Sequence, residues 1–253
     1  MPPEPPSRPF EVTHRSVLAI ALPMTAAYLS TPLLGVVDTA VIGQLGEAAL
    51  IGGIAVGAIV FDVIFTTFNF LRSGTTGLTA QALGAGDETE QRAVLWRALS
   101  VAVASGLIVI ALQVPLLALS LELMGPSEPV AAATRDYFQI RVLAAPFALA
   151  NYAILGWFIG LGRAGTGLAL QTLLNGLNIV LNVYFVLWLG WGIAGVAWGT
   201  VLGQTVAALA GLALVARAGG AARLALSLIF DRVRFRRMIA LNRDIMIRSF
   251  TLL

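Results

Sequence analysis

Six long apolar runs separated by short polar segments constrain this chain more than any other feature: Val17–Ile42, Leu50–Leu71, Leu95–Leu123, Phe138–Leu161, Leu168–Leu189 and Ile193–Ala216. About 20 apolar residues are needed to carry a helix across the hydrocarbon core of a bilayer. Within that core the backbone must satisfy its own hydrogen bonds, and uninterrupted runs of this length do so as helices. The chain therefore reads as an all-α integral membrane protein with six spans. The second span is expected to continue through a small-residue stretch to Leu83. The composition agrees: 58% of residues are hydrophobic and 11% charged, with a mean hydropathy of +0.87. A soluble domain carries roughly 25% charge, which excludes an ordinary soluble enzyme, a disordered chain and a fibrous one.

The charges give an orientation. All 16 basic residues are arginines. Assigned to the loops between spans, fourteen fall on the side of the N-terminus and only Arg135 and Arg141 on the other. Positive residues collect on the cytoplasmic face, so the N-terminus of this multi-pass chain is expected in the cytoplasm. The basic balance is thus a topogenic signal, and no nucleic-acid partner is expected. The loops around Gly46 and Trp191 are short enough for tight helical hairpins.

Four regions follow: a Pro-rich disordered cytoplasmic tail over 1–16, the six-helix unit over 17–216, a basic amphipathic cytoplasmic linker over 217–244, and the start of a seventh apolar run over 245–253. The first run is as long as a full span and is followed by others, which favours a retained helix over a cleaved signal peptide. Within Ala221–Asn242, apolar residues alternate with Arg232, Arg234, Arg236 and Arg237. That pattern suits a helix on the membrane surface, or a solvated basic linker. Leu22-Pro23-Met24 and Ala145-Pro146-Phe147 hint at a three-plus-three internal repeat.

Cysteine is absent and His14 is the only histidine. No thiolate nucleophile and no Cys/His metal cluster can form, and no cofactor is expected beyond a proton or sodium as coupling ion. The residues of interest are the polar ones inside the spans, because a charge at mid-bilayer costs about 2.5 kcal/mol or more and marks a pathway or site by default. Asp38 lies in the first span and Asp62 in the second. Tyr28, Thr31, Gly35 and Asp38 share one helical face. Pro32 interrupts the same helix and can free a carbonyl near the acid, which makes it a candidate hinge. A carboxyl there can trade a proton or bind a cation, sodium included; the competing reading is an acid hydrogen-bonded near a helix end.

In the fifth span Gln171, Asn175, Asn178 and Asn182 are spaced 4, 3 and 4, an amide stripe along one face. Amides in lipid require partners, so the stripe should face the bundle interior or a water-filled cavity. The alternative is that the amides serve only to tie helices together. Asn151 and Gln204 are candidates for the same cavity. Gly195, Gly199 and Gly203, continued by Ala207 and Gly211, indicate close helix packing in the sixth span. Gly84-Ala85-Gly86-Asp87 matches the GxGD string of intramembrane aspartyl proteases, but it leads into a charged segment and reads as a helix-terminating loop. The glycines around Gly160 lack the strand-then-helix context of a nucleotide loop.

Val36-Val37-Asp38-Thr39-Ala40-Val41-Ile42-Gly43 resembles the first-helix signature of the multidrug and toxic compound extrusion family. The string from Phe68 to Gly84, FNFLRSGTTGLTAQALG, is similar to its DinF-type branch, and Asn178–Asn182 and Gly192–Trp198 to its fifth helix and following turn. The resemblance implies the N-terminal lobe of a twelve-helix transporter of the MOP superfamily, with a second six-helix lobe as its partner. It implies export of organic cations or other amphipathic compounds by alternating access, driven by inward proton or sodium flow. The family's coupling acid maps onto Asp38 and its fifth-helix asparagine onto Asn178. Where the branch often carries an aspartate, this chain has Asn182. A lipid-linked saccharide flippase of the same superfamily is the alternative; its cavity should be lined with arginines, and these spans hold almost none. A membrane-embedded enzyme would need a nucleophile, a metal cluster or an acid pair. The reading is therefore a transporter, not an enzyme.

Overall fold

The computed structural model describes residues 14–220 together with Ile229, Asp231, Arg232, Arg234, Phe235, Arg236 and Met238. The run over 245–253, most of the tail over 1–16 and most of Ala221–Asn242 lie outside the described residues. Among the described residues the chain is helical, without strands.

Helix α1, His14–Gly43, contains the first apolar run and is 30 residues long. It runs on past Pro23 and Pro32, which both stand within the helix. Loss of one N–H removes a single bond to the preceding turn, and the neighbouring turns carry the helix across. Helix α2, Ala48–Thr67, is followed by α3, Phe70–Gly84. The two form one apolar stretch of 37 residues, interrupted by a turn at Phe68–Asn69.

The third span differs from expectation. Helix α4 is Glu88–Ala111, and a separate short helix α5, Gln113–Met124, follows Leu112. Pro115 explains the break, because it has no N–H to donate to the carbonyl of Ala111. The fourth span also shifts. It begins at Glu128, not Phe138: α6, Glu128–Arg141, passes through a 3-10 turn, Val142–Ala144, into α7, Ala145–Gly160. Pro146 stands in the first turn of α7, where a missing N–H costs nothing. Pro23 lies inside α1, so the two prolines differ in their local setting. Helix α8, Ala164–Val183, ends in a π-turn, Tyr184–Trp188, and α9 is Gly192–Arg217. Five stretches among the described residues are long and apolar enough to cross a membrane, with α2–α3 and α6–α7 counted as one each.

Helix α9 stands in the middle, packed by α6, α7 and α8; α1 packs on α8, α2 on α6, and α3 and α4 on α7. Glycines set the closest approaches. A Cβ on Gly57 of α2 would meet the Tyr137 ring at 2.5 Å, so only glycine lets α6 lie this near. At one end of the bundle Trp157 Nε1 donates to the Gln91 carbonyl at 2.9 Å and Trp96 Nε1 to the Gly220 carbonyl at 3.0 Å. This joins the start of α4, the end of α7 and the end of α9. The GxGD segment is here the expected loop: Gly86 has φ +69° and the Asp87 carboxylate accepts the Glu90 N–H at 2.8 Å, capping α4.

Candidate functional site

The spacing of the α8 amides turns them toward the bundle interior, where Asn175, Asn178 and Asn182 are all buried. Asn175 and Asn178 face a cavity of about 810 Å³ bounded by α1, α2, α3, α6, α7, α8 and α9. Asp38, Asp62, Asn151, Gln171, Asn175, Asn178 and Gln204 all line it. Asn182 is not among the lining residues and meets the cavity wall through Asp38 and Asn178. Tyr28, Thr31 and Pro32 belong to the α1 backbone, but their side chains lie outside the described residues.

A hydrogen-bonded chain connects three helices. Asn182 Nδ2 donates to Asp38 Oδ1 at 2.5 Å and to Asn178 Oδ1 at 2.9 Å. Asn178 Nδ2 donates to Thr200 Oγ1 at 3.0 Å, and Thr200 donates to the Val196 carbonyl at 3.1 Å. The carboxylate thus ends a relay running from α1 through α8 to α9. The glycine stripe of α9 makes this register possible: a Cβ on Gly199 would collide with Asn182 Oδ1. That oxygen is itself buried without a hydrogen-bond partner among the described residues. Further along the stripe, Gln171 Nε2 donates to Asn175 Oδ1 at 3.0 Å, and Asn151 Nδ2 to Gln204 Oε1 at 2.8 Å. The amides therefore line a cavity and join helices at once; the two readings of the stripe are not exclusive.

Two arginines correct the sequence-based picture. Arg72 and Arg141, both assigned to loops by the charge count, line the cavity. The expectation of spans almost free of arginine is overturned. Arg141 Nη1 donates to the Tyr137 hydroxyl at 2.5 Å, and its guanidinium lies 4.6 Å from the Phe61 ring centroid and 5.3 Å from that of Tyr137. Arg72 donates to Asn69 Oδ1 at 2.8 Å and lies 5.5 Å from the Tyr152 ring centroid. Arg141 stands three residues inside the fourth apolar run, Phe138–Leu161, yet the charge count took it only as an orientation signal beside Arg135. The i, i+4 spacing of Tyr137 and Arg141 was the available signal. Thr200, one of two hydroxyls in the apolar α9, carried none.

The MatE family model matches residues 23–184. The chain belongs to the MatE family. MatE proteins are transporters and not enzymes. The chain is 40% identical to DNA damage-inducible protein F of Escherichia coli K12 over 242 residues, which is 95% of this chain and 53% of that protein. It is 24% identical to the multidrug export protein MepA of Staphylococcus aureus NCTC 8325, covering 77% of this chain and 43% of that one. Among solved structures, a MOP superfamily transporter from Pyrococcus furiosus, for which reverse polarity of the binding pocket has suggested a different function, superposes with a TM-score of 0.83. That match has 19% identity and covers 97% of this chain and 54% of the other. An outward-facing multidrug resistance MATE family transporter gives a TM-score of 0.74 at 22% identity, over 83% of this chain and 45% of the other. The chain spans about half the length of the relatives it matches. The MatE fold of an N-terminal half, expected from the sequence motifs, is thereby established.

Proposed function

We propose that this MatE half is the ion-coupling lobe of a secondary active efflux transporter. The complete protein exports amphipathic compounds from a bacterial cytoplasm, across the inner membrane, in exchange for inward proton or sodium flow. The N-terminus and the segment after α9 lie on the cytoplasmic side, and a second lobe completes the cavity. The observation that carries the proposal is the Asp38 carboxylate at the cavity wall, held by Asn182 at 2.5 Å in the relay to Asn178 and Thr200. A carboxylate bonded to an amide N–H is a strong, charge-assisted contact. Protonation, or sodium at the same oxygen, removes the charge from that contact and loosens the tie between α1 and α8. α1 then shifts against α8, with Pro32 as the point of least backbone resistance, and the cavity changes shape. Asn182 supplies a donor where a second carboxylate would compete for the proton, so Asp38 alone titrates in the relay.

The test is gradient-driven dye movement by the complete protein in everted vesicles, under a pH gradient with and without sodium. Wild type should accumulate dye, and Asp38→Asn should bind dye but lose gradient-driven movement. Full movement by Asp38→Asn refutes this assignment of coupling.

A further inference from the structure

The basic segment after α9 takes no part in the cavity, and its depth is set by Arg97. The third apolar run begins at Leu95. Two residues further on, Arg97 is 1% exposed and donates Nε to the Ile229 carbonyl at 2.9 Å. Ile229 therefore lies close to the level at which α4 enters the apolar layer. Trp96 and Trp157 stand at the same end, with their indole N–H groups tied to the carbonyls of Gly220 and Gln91. Indoles collect where a bilayer meets water.

Beyond Ile229 the chain forms a short helical turn. The Asp231 carboxylate accepts the Arg234 N–H at 2.8 Å, the Phe235 N–H donates to the Asp231 carbonyl at 2.8 Å, and the described residues of 232–238 are helical. With 3.6 residues per turn, Arg234 and Met238 share one face, and Arg232 and Arg236 share the opposite one. The first face is fastened to the bundle. Met238 is buried, and Arg234 pairs with Glu90, the same carboxylate that holds Arg97. The opposite face carries two exposed arginines one turn apart, with no ion pair among the described residues. The acids at this end are already engaged: Glu90 by two arginines, Glu88 by Arg92, and Asp87 and Asp231 by backbone N–H groups that they cap. Like charges at i, i+4 repel, so the exposed pair calls for an anion from outside the protein.

We propose that this face binds the phosphates of anionic phospholipid headgroups, held by Arg232 and Arg236. The Glu90 contact sets the turn at headgroup height and points the pair away from the bundle. Each guanidinium presents a planar fork that matches a phosphate, and a phosphate between the two relieves their repulsion. A choline headgroup fits less well, because it brings a further positive charge to the pair. This inference concerns the membrane surface and depends neither on what the cavity exports nor on the coupling ion.

The test titrates the complete protein in detergent with phosphatidylglycerol or phosphatidylcholine of matched chains, and counts bound lipids by native mass spectrometry. An arginine near an anionic surface is worth about fivefold in affinity, so wild type is expected to prefer phosphatidylglycerol by at least about tenfold. Arg232→Gln with Arg236→Gln should lose at least about fivefold of that preference and leave phosphatidylcholine binding unchanged. Arg163→Gln with Arg217→Gln removes the same charge from exposed positions elsewhere at this end and should keep the preference. Equal binding of the two lipids by wild type, or an equal loss in both double variants, overturns the proposal. Displacement of bound phosphatidylglycerol by millimolar inorganic phosphate assigns the face to a free anion and overturns it as well. If the variants fail to fold, the wild-type ratio and the phosphate competition decide.

Discussion

Asn182 has one amide nitrogen serving two acceptors, Asp38 and Asn178, and a carbonyl oxygen with no partner. Any group that pushes on this side chain therefore disturbs the whole relay. Gly199→Ala places a methyl against the amide oxygen, and overpacking of this kind costs about 1–3 kcal/mol. The expected result is a lower thermal midpoint in detergent together with slowed gradient-driven dye movement. Gly77→Ala is the control, because a Cβ there has nothing within 4 Å, and alanine is the better helix former by up to about 1 kcal/mol. It should leave both readouts unchanged or raise stability. At this scale the sequence was informative wherever polarity was periodic. The 4, 3, 4 spacing of the α8 amides identified residues that line the cavity or bond to its wall, and Asp38 was the acid beside them. Arg72 just beyond the second run and Arg141 near the start of the fourth counted only as orientation signals, and the path of α3 and α6 carries both to the cavity wall.

Between elements, the notable contact lies away from the cavity. Arg97 of α4 is 1% exposed, forms a two-bond pair with Glu90 at 2.8 and 2.9 Å, and donates Nε to the Ile229 carbonyl at 2.9 Å. Arg234 pairs with the same carboxylate. The segment beyond α9 is thereby fastened to the end of α4. Removing one partner of a buried pair leaves an uncompensated charge and costs roughly 3–5 kcal/mol, whereas replacing both with apolar groups costs far less. Glu90→Ala should therefore lower the thermal midpoint sharply, and Glu90→Met with Arg97→Met should recover much of the loss. A double variant as unstable as the single one refutes this account of the contact. Element boundaries were the weaker part of the sequence reading. Hydropathy cannot see that Pro115 withholds the donor for Ala111, nor that a polar segment such as Glu128–Arg135 begins a helix whose later turns are apolar.

At the scale of the whole molecule, the alternation of spans places the loops at Gly46 and Gly190 at one end and those at Asp87 and Gly162 at the other. Setting aside Arg72 and Arg141, which line the cavity, leaves the arginine bias in place, with Arg135 in the first half of α6 alone on the sparse side. The chain contains no cysteine, so single substitutions report without background. In intact cells expressing the complete protein, Gly46→Cys should react with a membrane-impermeant maleimide, and Asp87→Cys should react only after lysis. The opposite pattern inverts the orientation and with it the direction of transport.

The central claim is that Asp38 is the titrating member of the relay it forms with Asn182, Asn178 and Thr200. The most direct measurement is the infrared difference spectrum of the complete protein in lipid across a pH step, followed in the carboxyl stretch. The account predicts a protonated-carboxyl band that disappears in Asp38→Asn, shifts in Asn182→Ala when the amide donor is lost, and shrinks when transported dye is added. A band that survives unchanged in Asp38→Asn contradicts it and moves the coupling site to another carboxyl.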